Sequence, residues 1–126
     1  MSCFVNFSNH PSSHWSETQL AAAAHYGEVR DLPFPSVEPA LDENEILLLA
    51  ERCAGAILRL DPAAVMCQGE FSLCFAVTQL LQQKGVTVLC ACSERKAEEY
   101  VNEDGSAGKR VEFSFVRFRR YSVKAR

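Results

Sequence analysis

Two histidines lie four residues apart near the N-terminus, within a segment dense in polar side chains. His10 and His14 follow the apolar stretch from Phe4 to Phe7, and Pro11 together with a capping serine, Ser16, favours a loop around them. An imidazole in such a loop can take a proton from a hydroxyl near neutral pH, or contact a phosphate. The same spacing on a helix could bind a metal, but the loop lacks a neighbouring Asp or Glu. We therefore expect no metal, and the alternative to a chemical role is simple hydrogen bonding within the loop.

Polar segments also follow two later strands, and together with the first loop they could form one site. Ligands of open α/β sheets collect beyond the carboxyl ends of the parallel strands, so these three segments are predicted to meet. Trp15 could stack on a nucleobase there, or it could pack its helix onto the core. Besides the histidines and Trp15, the candidate residues are Ser8, Asn9, Ser12 and Ser13 in the first segment, Gln68, Gly69, Glu70 and Ser72 in the second, and Ser93 and Arg95 in the third.

Three of these candidates also have an ordinary structural explanation. Gly69 before a helix lets backbone N–H groups approach an anion, although glycine is common at such turns for steric reasons. Glu70 could orient a ligand hydroxyl, or it could cap the helix that follows. Arg95 could bind a phosphate through its guanidinium, or it could pair with a neighbouring carboxylate. The G-x-G-x-x-G and Walker sequences do not occur, which disfavours a dehydrogenase or a kinase.

Apolar runs and helix-capping signals predict an alternation of strands and helices. Strands without polar alternation, such as the third and fourth, are typical of a parallel sheet covered on both faces. The order predicts an α/β fold, a Rossmann-like three-layer sandwich with a mainly parallel sheet. The predicted strands cover 3–7, 28–32, 63–67 and 86–92, and the predicted helices cover 20–26, 46–60 and 71–84.

The last quarter of the chain predicts a C-terminal antiparallel β-hairpin, with strands at 97–101 and 110–121. We expect a single domain over 1–126, with a core at 1–96 and the hairpin at 97–126. A change of phase within the last strand indicates a β-bulge or a strand buried on both faces. The two phases contain Val111, Phe113 and Phe115 on one side of the change and Val116 and Phe118 on the other.

Charge is unevenly distributed along the 126 residues, whose net charge is −3. Segment 109–126 carries a net +6 and the remainder −9. A basic strip on an acidic body suits a phosphate-bearing partner, or it keeps an edge strand from pairing with other edges. Apolar runs reach five residues, against about 20 for a membrane-spanning helix, so no membrane partner is expected. The start of the chain lacks the basic and apolar regions of a leader, so a cytoplasmic location is expected.

Six cysteines are present, and every one lies within an apolar segment rather than in a loop-rich framework. We expect them to be reduced and to pack as small buried hydrophobic side chains. They are Cys3, Cys53, Cys67, Cys74, Cys90 and Cys92.

Three segments of this chain resemble the small stand-alone CRISPR-associated proteins related to the CARF (CRISPR-associated Rossmann fold) domains. They are Phe4–Pro11 leading into a helix, Ala64–Val77 around Gly69 and Glu70, and Thr87–Arg95 ending in Ser-Glu-Arg. The resemblance covers most of residues 3–96. Several such families are ring nucleases of type III CRISPR systems, so it implies a CARF-like domain that binds and cleaves a cyclic oligoadenylate, with cyclic tetra-adenylate favoured. Cleavage of this messenger would switch off type III signalling.

The resemblance further implies a homodimer that binds the ring across its two-fold axis, without a cofactor and without a stable DNA or long RNA partner. Cleavage would proceed, without a metal, by attack of a ribose 2′-hydroxyl on the adjacent phosphate. The expected catalytic residues are His10, Ser12 and Glu70. The expected ligand-binding residues are Ser8, Asn9, Ser13, His14, Trp15, Gln68, Gly69, Ser72, Ser93 and Arg95.

One departure from the resemblance keeps other functions open. Many CARF domains have a phosphate loop rich in glycine and threonine, and this chain has only Gly69 at the corresponding position. A non-catalytic sensor or sponge for cyclic oligoadenylate, or an unrelated nucleotide-binding protein, are therefore the alternatives.

Overall fold

The computed structural model describes residues 2–123, which form a mixed α/β fold with three α-helices and one five-stranded sheet. A short 3-10 turn, Ser12–His14, lies between the first strand and the first helix. The elements in chain order are β1 Cys3–Phe7, α1 Glu17–Ala24, β2 Glu28–Asp31, α2 Glu43–Leu58, β3 Pro62–Cys67, α3 Phe71–Gln83, β4 Thr87–Val101 and β5 Ala107–Arg120.

The sheet has the strand order β2-β1-β3-β4-β5. β1 pairs in parallel with β2 and β3, β3 pairs in parallel with β4, and β5 runs antiparallel to β4. The mainly parallel sheet with an antiparallel strand at the C-terminus is thus confirmed. All five residues of β1 are buried, as expected for an inner strand covered on both faces.

Helices cover both faces of the sheet, and each face has its own apolar cluster. α2 and α3 pack on one face against alternate residues of β1, including Val5 and Phe7. α1 lies on the other face, where Ala23 packs with Phe4 and Phe118. α1 contacts both β2 and β5, the two edge strands, so the sheet curls around this helix.

The capping signals are confirmed for α2 and confirmed in part for α1. The Glu45 amide donates to Asp42 Oδ1 at 2.8 Å, and the Asp42 amide donates to Glu45 Oε1 at 3.2 Å. The Gln19 amide donates to Ser16 Oγ at 3.2 Å, but the Gln19 side chain points to the sulfur of Met66 instead of back to Ser16. α1 accordingly starts at Glu17, earlier than predicted, and ends at Ala24.

The prediction that the fourth strand ends at Cys92 and gives way to a polar loop at 93–96 is wrong. β4 continues without a break to Val101, so Ser93 and Arg95 are strand residues and the expected boundary after residue 96 falls inside a strand. This stretch is polar because both of its faces are exposed, and its polar composition resembles that of a loop. It remains a strand because continuous pairing with β5 satisfies its backbone hydrogen-bonding groups.

The phase change in the last strand is a β-bulge. Cys92 pairs with Arg117 and Ser93 pairs with Phe115, which leaves Val116 as the extra residue of β5. Phe115 and Phe118 therefore face the same side of the sheet, with ring centroids 4.9 Å apart. Val116 is 57% exposed, which excludes the alternative of a strand buried on both faces.

The six cysteines lie in strands or helices, and each is a free thiol. Cys3, Cys67 and Cys74 are buried, and the other three are half-buried. Cys67 and Cys74 are neighbours across the junction of β3 and α3, with Sγ atoms 3.6 Å apart. Within residues 2–123, none of the helices has the length and apolar character that crossing a bilayer requires.

Candidate functional site

A buried amide at the end of β1 organises the loop that carries the two histidines. Asn6 is 1% exposed, and its Nδ2 donates to the His10 carbonyl at 2.8 Å and to Asp31 Oδ1 at 3.0 Å. Its Oδ1 accepts a hydrogen bond from Ser8 Oγ at 2.6 Å. One side chain thereby joins the end of β1, the following loop and the end of β2.

Asp31 extends this network to the 3-10 turn. Its Oδ2 accepts from the Ser12 amide at 3.2 Å and from Ser12 Oγ at 3.1 Å. The indole of Trp15 donates to the His10 carbonyl at 3.1 Å, which closes the loop on itself. Sequence reasoning missed Asn6 and Asp31, although an asparagine inside the apolar run Cys3–Phe7 was a visible signal for a buried polar role.

A cleft of about 730 Å³ opens at the carboxyl ends of β1 and β3 and beside β4 and β5. Five predicted site residues line it, from all three predicted segments: His10, His14, Trp15, Gln68 and Ser93. The lining residues that the sequence did not indicate are Ser16, Thr18, Gln19, Met66, Ala91, Phe113, Ser114 and Phe115.

The cleft combines aromatic rings with neutral polar groups. Trp15 packs against the core, with its ring 6.1 Å from Phe4 and 6.2 Å from Phe118, and it also lines the cleft. Phe113 also lines the cleft and is 70% exposed. Among the described residues that line the cleft, the only ionisable side chains are the two imidazoles, so no carboxylate there would repel a phosphate.

Gln68 joins β3 to β4 at the floor of the cleft. The β3–β4 ladder ends at the pair Met66 and Leu89, and beyond it the Ala91 amide donates to Gln68 Oε1. The backbone amide of Gln68 donates to the Phe7 carbonyl at 3.2 Å. This residue therefore joins the ends of β1 and β3 to the middle of β4 while its side chain lines the cleft.

Several predicted residues lie outside the cleft, in or beside the same loop. Ser8 is buried with its hydroxyl bonded to Asn6, and Ser8 and Asn9 line a separate hollow of about 210 Å³. The Ser12 hydroxyl is bonded to Asp31, and Ser13 is exposed in the 3-10 turn. The loop thus divides, with its histidines toward the cleft and its early serines toward β2.

Glu70 caps α3. Its Oε1 accepts from the Leu73 amide at 2.8 Å and from Ser72 Oγ at 2.6 Å. These donors, Ser72 first, hold the pKa of the Glu70 carboxyl below its usual range. Both Glu70 and Ser72 are outside the cleft lining, so their hydrogen bonds support the capping interpretation.

Gly69 lies beneath an aromatic ring. A Cβ placed on it would come within 2.6 Å of three ring carbons of Phe34, which itself packs on Phe7 with centroids 4.8 Å apart. The close approach of Phe34 accounts for glycine at this position. Arg95 is exposed on β4, paired with Phe113 of β5. In the part of the chain that the structure describes, no group of three or more His, Cys, Asp or Glu side chains could hold a metal ion.

These observations define the class of protein, a mixed α/β protein with a polar and aromatic cleft at the carboxyl ends of parallel strands. The chain belongs to the uncharacterized protein MJ1673 family, whose model matches residues 2–119. The match spans the three helices and nearly the whole of β5. A search of curated proteins found no match to the chain.

Replacing Asn6 tests the network at the end of β1. Asn6→Leu removes three hydrogen bonds in a buried position, and we expect a loss of roughly 1–3 kcal/mol in unfolding free energy together with faster proteolysis of the histidine loop. Asn9→Leu, the same change at an exposed neighbour, is the control and should be nearly neutral. Equal stability of both variants in urea unfolding would show that the network contributes nothing.

The lowered pKa of Glu70 predicts a pH-dependent contribution to stability. The ionised carboxylate stabilises the fold above its unfolded pKa of about 4.3, and this stabilisation is lost as the pH falls through the lower folded pKa. Glu70→Gln should therefore be less stable than wild type at pH 7 and match it at the acidic end of a pH series of urea unfolding. Glu51→Gln, the same substitution at an exposed position inside α2, is the control for removal of a surface carboxylate. A Glu70→Gln difference that stays constant with pH would contradict the role of the charge.

The contact between Gly69 and Phe34 predicts a stability defect that can be rescued. Gly69→Ala should cost roughly 1–3 kcal/mol in thermal unfolding because its methyl group overlaps the ring. Adding Phe34→Leu should recover part of this loss. Gly55→Ala in α2 is the control, since its Cβ would meet only Arg59 at 3.8 Å, and it should stabilise by about 0.5–1 kcal/mol. A fully stable Gly69→Ala would show that the ring moves aside at no cost.

Proposed function

We propose that this protein is a ring nuclease that binds a cyclic oligoadenylate, with cyclic tetra-adenylate favoured, and cleaves it to switch off type III CRISPR signalling. The observation that carries the proposal is the cleft lined by His10 and His14 together with aromatic rings, with no carboxylate among the described residues that line it. Such a lining suits a ligand that offers both stacking surfaces and phosphates.

The aromatic walls and polar floor give each part of an adenylate a partner. Phe113 and Trp15 lie on the cleft wall, where an adenine can stack. Gln68 and Ser93 can hydrogen-bond to base edges or ribose hydroxyls. A cleft of about 730 Å³ is in the range for a single drug-sized ligand. A homodimer that presents the cleft twice would therefore match a ring with repeated nucleotides.

Cleavage requires one proton to leave the attacking hydroxyl and another to reach the leaving group. In the proposed reaction His10 accepts the proton of a ribose 2′-hydroxyl as its oxygen bonds to the adjacent phosphorus. The phosphorus–O5′ bond breaks, the O5′ atom takes a proton from solvent or an imidazolium, and a 2′,3′-cyclic phosphate remains. Neutral hydrogen-bond donors of the cleft hold the phosphate in line with the attacking oxygen.

The proposal also includes a more specific fold for this α/β protein. A Rossmann-like three-layer sandwich is supported by the parallel order β2-β1-β3-β4 and by helices on both faces. A single CARF-like domain in the cytoplasm, active without a metal, completes the proposal. The position of the cleft at the carboxyl ends of the strands follows the general rule for this architecture.

A second candidate function, a binding protein that does not cleave, is favoured by one observation. Within residues 2–123, neither the His10 nor the His14 imidazole has a hydrogen-bond partner that would fix its orientation. A general base is commonly held by a third group, and two of the predicted catalytic residues, Ser12 and Glu70, are bonded elsewhere. A sensor or sponge needs only the cleft.

Incubation with cyclic tri-, tetra- and hexa-adenylate, with and without EDTA, tests the function. We expect linear products ending in a 2′,3′-cyclic phosphate, and His10→Ala should slow cleavage about a hundredfold with binding nearly unchanged. His14→Ala should have a smaller effect, and Ser13→Ala, outside the cleft lining, none. Binding without products would establish the sponge, and absence of binding to all three rings would refute both functions.

A further inference from the structure

Two buried thiols meet where β3 turns into α3. Cys67 is the last residue of β3 and Cys74 lies in the first turn of α3, and their Sγ atoms are 3.6 Å apart. The Cys74 thiol also donates to the Cys67 carbonyl at 3.3 Å. A disulfide has a sulfur–sulfur bond of about 2.05 Å, so these sulfurs need to approach by only about 1.5 Å. Small side-chain rotations can bring the pair into bonding distance.

Tyr121 holds the two cysteines in place. Its hydroxyl donates to the Cys67 carbonyl at 2.7 Å and lies 3.8 Å from Cys74 Sγ. Its backbone is bonded on both sides, since its amide donates to the Val88 carbonyl at 3.0 Å and its carbonyl accepts from Gln82 Nε2 at 2.8 Å. The phenol is therefore a fixed part of the surroundings of the thiols.

A third polar side chain, Thr78, follows Cys74 by one turn on the same face of α3. It lies beside both sulfurs and is 7% exposed, and among the described residues its hydroxyl has no hydrogen-bond partner. A buried hydroxyl without a partner lowers stability, so a valine would pack better beside two neutral thiols. The hydroxyl gains an acceptor when one of the sulfurs becomes a thiolate.

The two cysteines differ in access and in acidity. Cys74 is 9% exposed, whereas Cys67 is completely buried. Hydrogen bonds to the Cys74 sulfur, the one from Cys67 first, hold the pKa of the Cys74 thiol below its usual value, although burial opposes them. The same hydrogen bond and burial raise the pKa of Cys67. Cys74 is therefore the sulfur that ionises and that a small molecule from solvent reaches first.

We propose that Cys67 and Cys74 form a site of reversible oxidation, at which hydrogen peroxide converts the two thiols into an intramolecular disulfide. The new bond closes segment 67–74, the turn between β3 and α3. The site does not depend on the proposed function, since both sulfurs lie outside the cleft lining.

The oxidation proceeds in two steps. The Cys74 thiolate attacks one oxygen of hydrogen peroxide, the O–O bond breaks and hydroxide leaves, so Cys74 is oxidised to a sulfenic acid while the peroxide is reduced. The Cys67 sulfur then bonds to the Cys74 sulfur, and the hydroxyl of the sulfenic acid leaves with the Cys67 proton as water. Altogether two thiols and one peroxide give one disulfide and two waters.

Cys90 and Cys92 provide an internal comparison within the same chain. Both are half-buried, so they are more open to solvent than the buried pair. They alternate along β4, which places their Cα atoms roughly 6.6 Å apart, near the upper limit for a disulfide. Proximity therefore favours a bond between Cys67 and Cys74, whereas exposure alone favours oxidation of Cys90 and Cys92.

Treatment of the full chain with equimolar hydrogen peroxide, followed by alkylation and trypsin digestion, tests the site. Cys67 and Cys74 share the tryptic peptide 60–84, and Cys90 and Cys92 share the peptide 85–95. We expect peptide 60–84 to escape alkylation and to be lighter by two hydrogens, and prior addition of dithiothreitol to abolish both changes. Peptide 85–95 should stay alkylated at both cysteines. Full alkylation of peptide 60–84 under conditions that oxidise other cysteines would overturn the proposal.

Serine variants identify the attacking sulfur. Cys67→Ser lacks the second thiol, so a sulfenic acid should accumulate at Cys74 and be trapped by dimedone. Cys74→Ser should give no dimedone adduct at Cys67. Cys53→Ser, the same change at a half-buried cysteine of α2, is the control and should form the disulfide as wild type does. An adduct at Cys67 in Cys74→Ser, with none at Cys74 in Cys67→Ser, would overturn the assigned order.

Thr78→Val keeps the test informative if the serine variants fail to fold. It replaces an unpaired hydroxyl with a methyl group of similar shape, so its Tm should equal or exceed that of wild type. Disulfide formation should be at least about threefold slower, because the thiolate loses a donor. Thr87→Val, the same change at a half-buried position of β4, should leave the rate unchanged. Equal rates for wild type and Thr78→Val would overturn the role of the hydroxyl.

One consequence rests on the proposed function. Gln68 follows Cys67 directly, and its side chain lines the cleft while accepting from the Ala91 amide. Approach of the two sulfurs moves the peptide between Cys67 and Gln68. The oxidised protein should therefore bind cyclic tetra-adenylate at least about threefold more weakly than the reduced protein.

The ligand step is tested apart from the disulfide. Cys74→Ser cannot form the bond, so its affinity for cyclic tetra-adenylate should be the same before and after peroxide. Equal affinities of reduced and oxidised wild type would refute the coupling to the cleft. Failure of the reduced protein to bind the ring would refute the proposed function, whereas the state of peptide 60–84 decides the disulfide in either case.

Discussion

The buried amide of Asn6 is the contact on which the arrangement of the site depends. β1 is the inner strand of the sheet, and its end is the point from which the histidine loop departs. A loop that follows an all-apolar strand would need other donors and acceptors to fix its path. Asn6 provides them by bonding to the His10 carbonyl, to Asp31 and to Ser8 at once. A buried amide without hydrogen-bond partners lowers the stability of the fold. A path of the loop that leaves the Asn6 side chain unpaired is therefore less stable than the observed one.

The general course of the fold was predictable because each element has a local signal in the sequence. Apolar runs without alternation predict the parallel strands, and Asp42 with Glu45 forms the capping box that the spacing indicates. The β-bulge was predictable as well, since a phase change in a strand has few physical causes. Such signals depend on periodicity and on the residues next to each turn.

The parts that were not predictable depend on contacts between distant segments. β4 extends beyond the sheet through a polar stretch, because its partner is β5 and not the core. Gly69 lies under Phe34, a packing that no local pattern indicates. Of the predicted site residues in the histidine loop, His10, His14 and Trp15 reach the cleft, whereas the hydroxyls of Ser8 and Ser12 bond to Asn6 and Asp31. The division arises because Asp31, at the end of a separate strand, accepts from the Ser12 hydroxyl, while Asn6 accepts from the Ser8 hydroxyl.

The bulge at Val116 affects the direction of the outer part of β4 and β5, residues 93–101 and 107–115, without affecting which residues lie on each of its faces. Without Val116, Arg117 would still pair with Cys92 and Phe115 with Ser93, so every side chain beyond it would keep its face. What would change is the local bend and twist that an extra residue introduces into a strand. Loss of this one residue would therefore change the direction of the outer part of β4 and β5, while each of its two faces keeps the same residues.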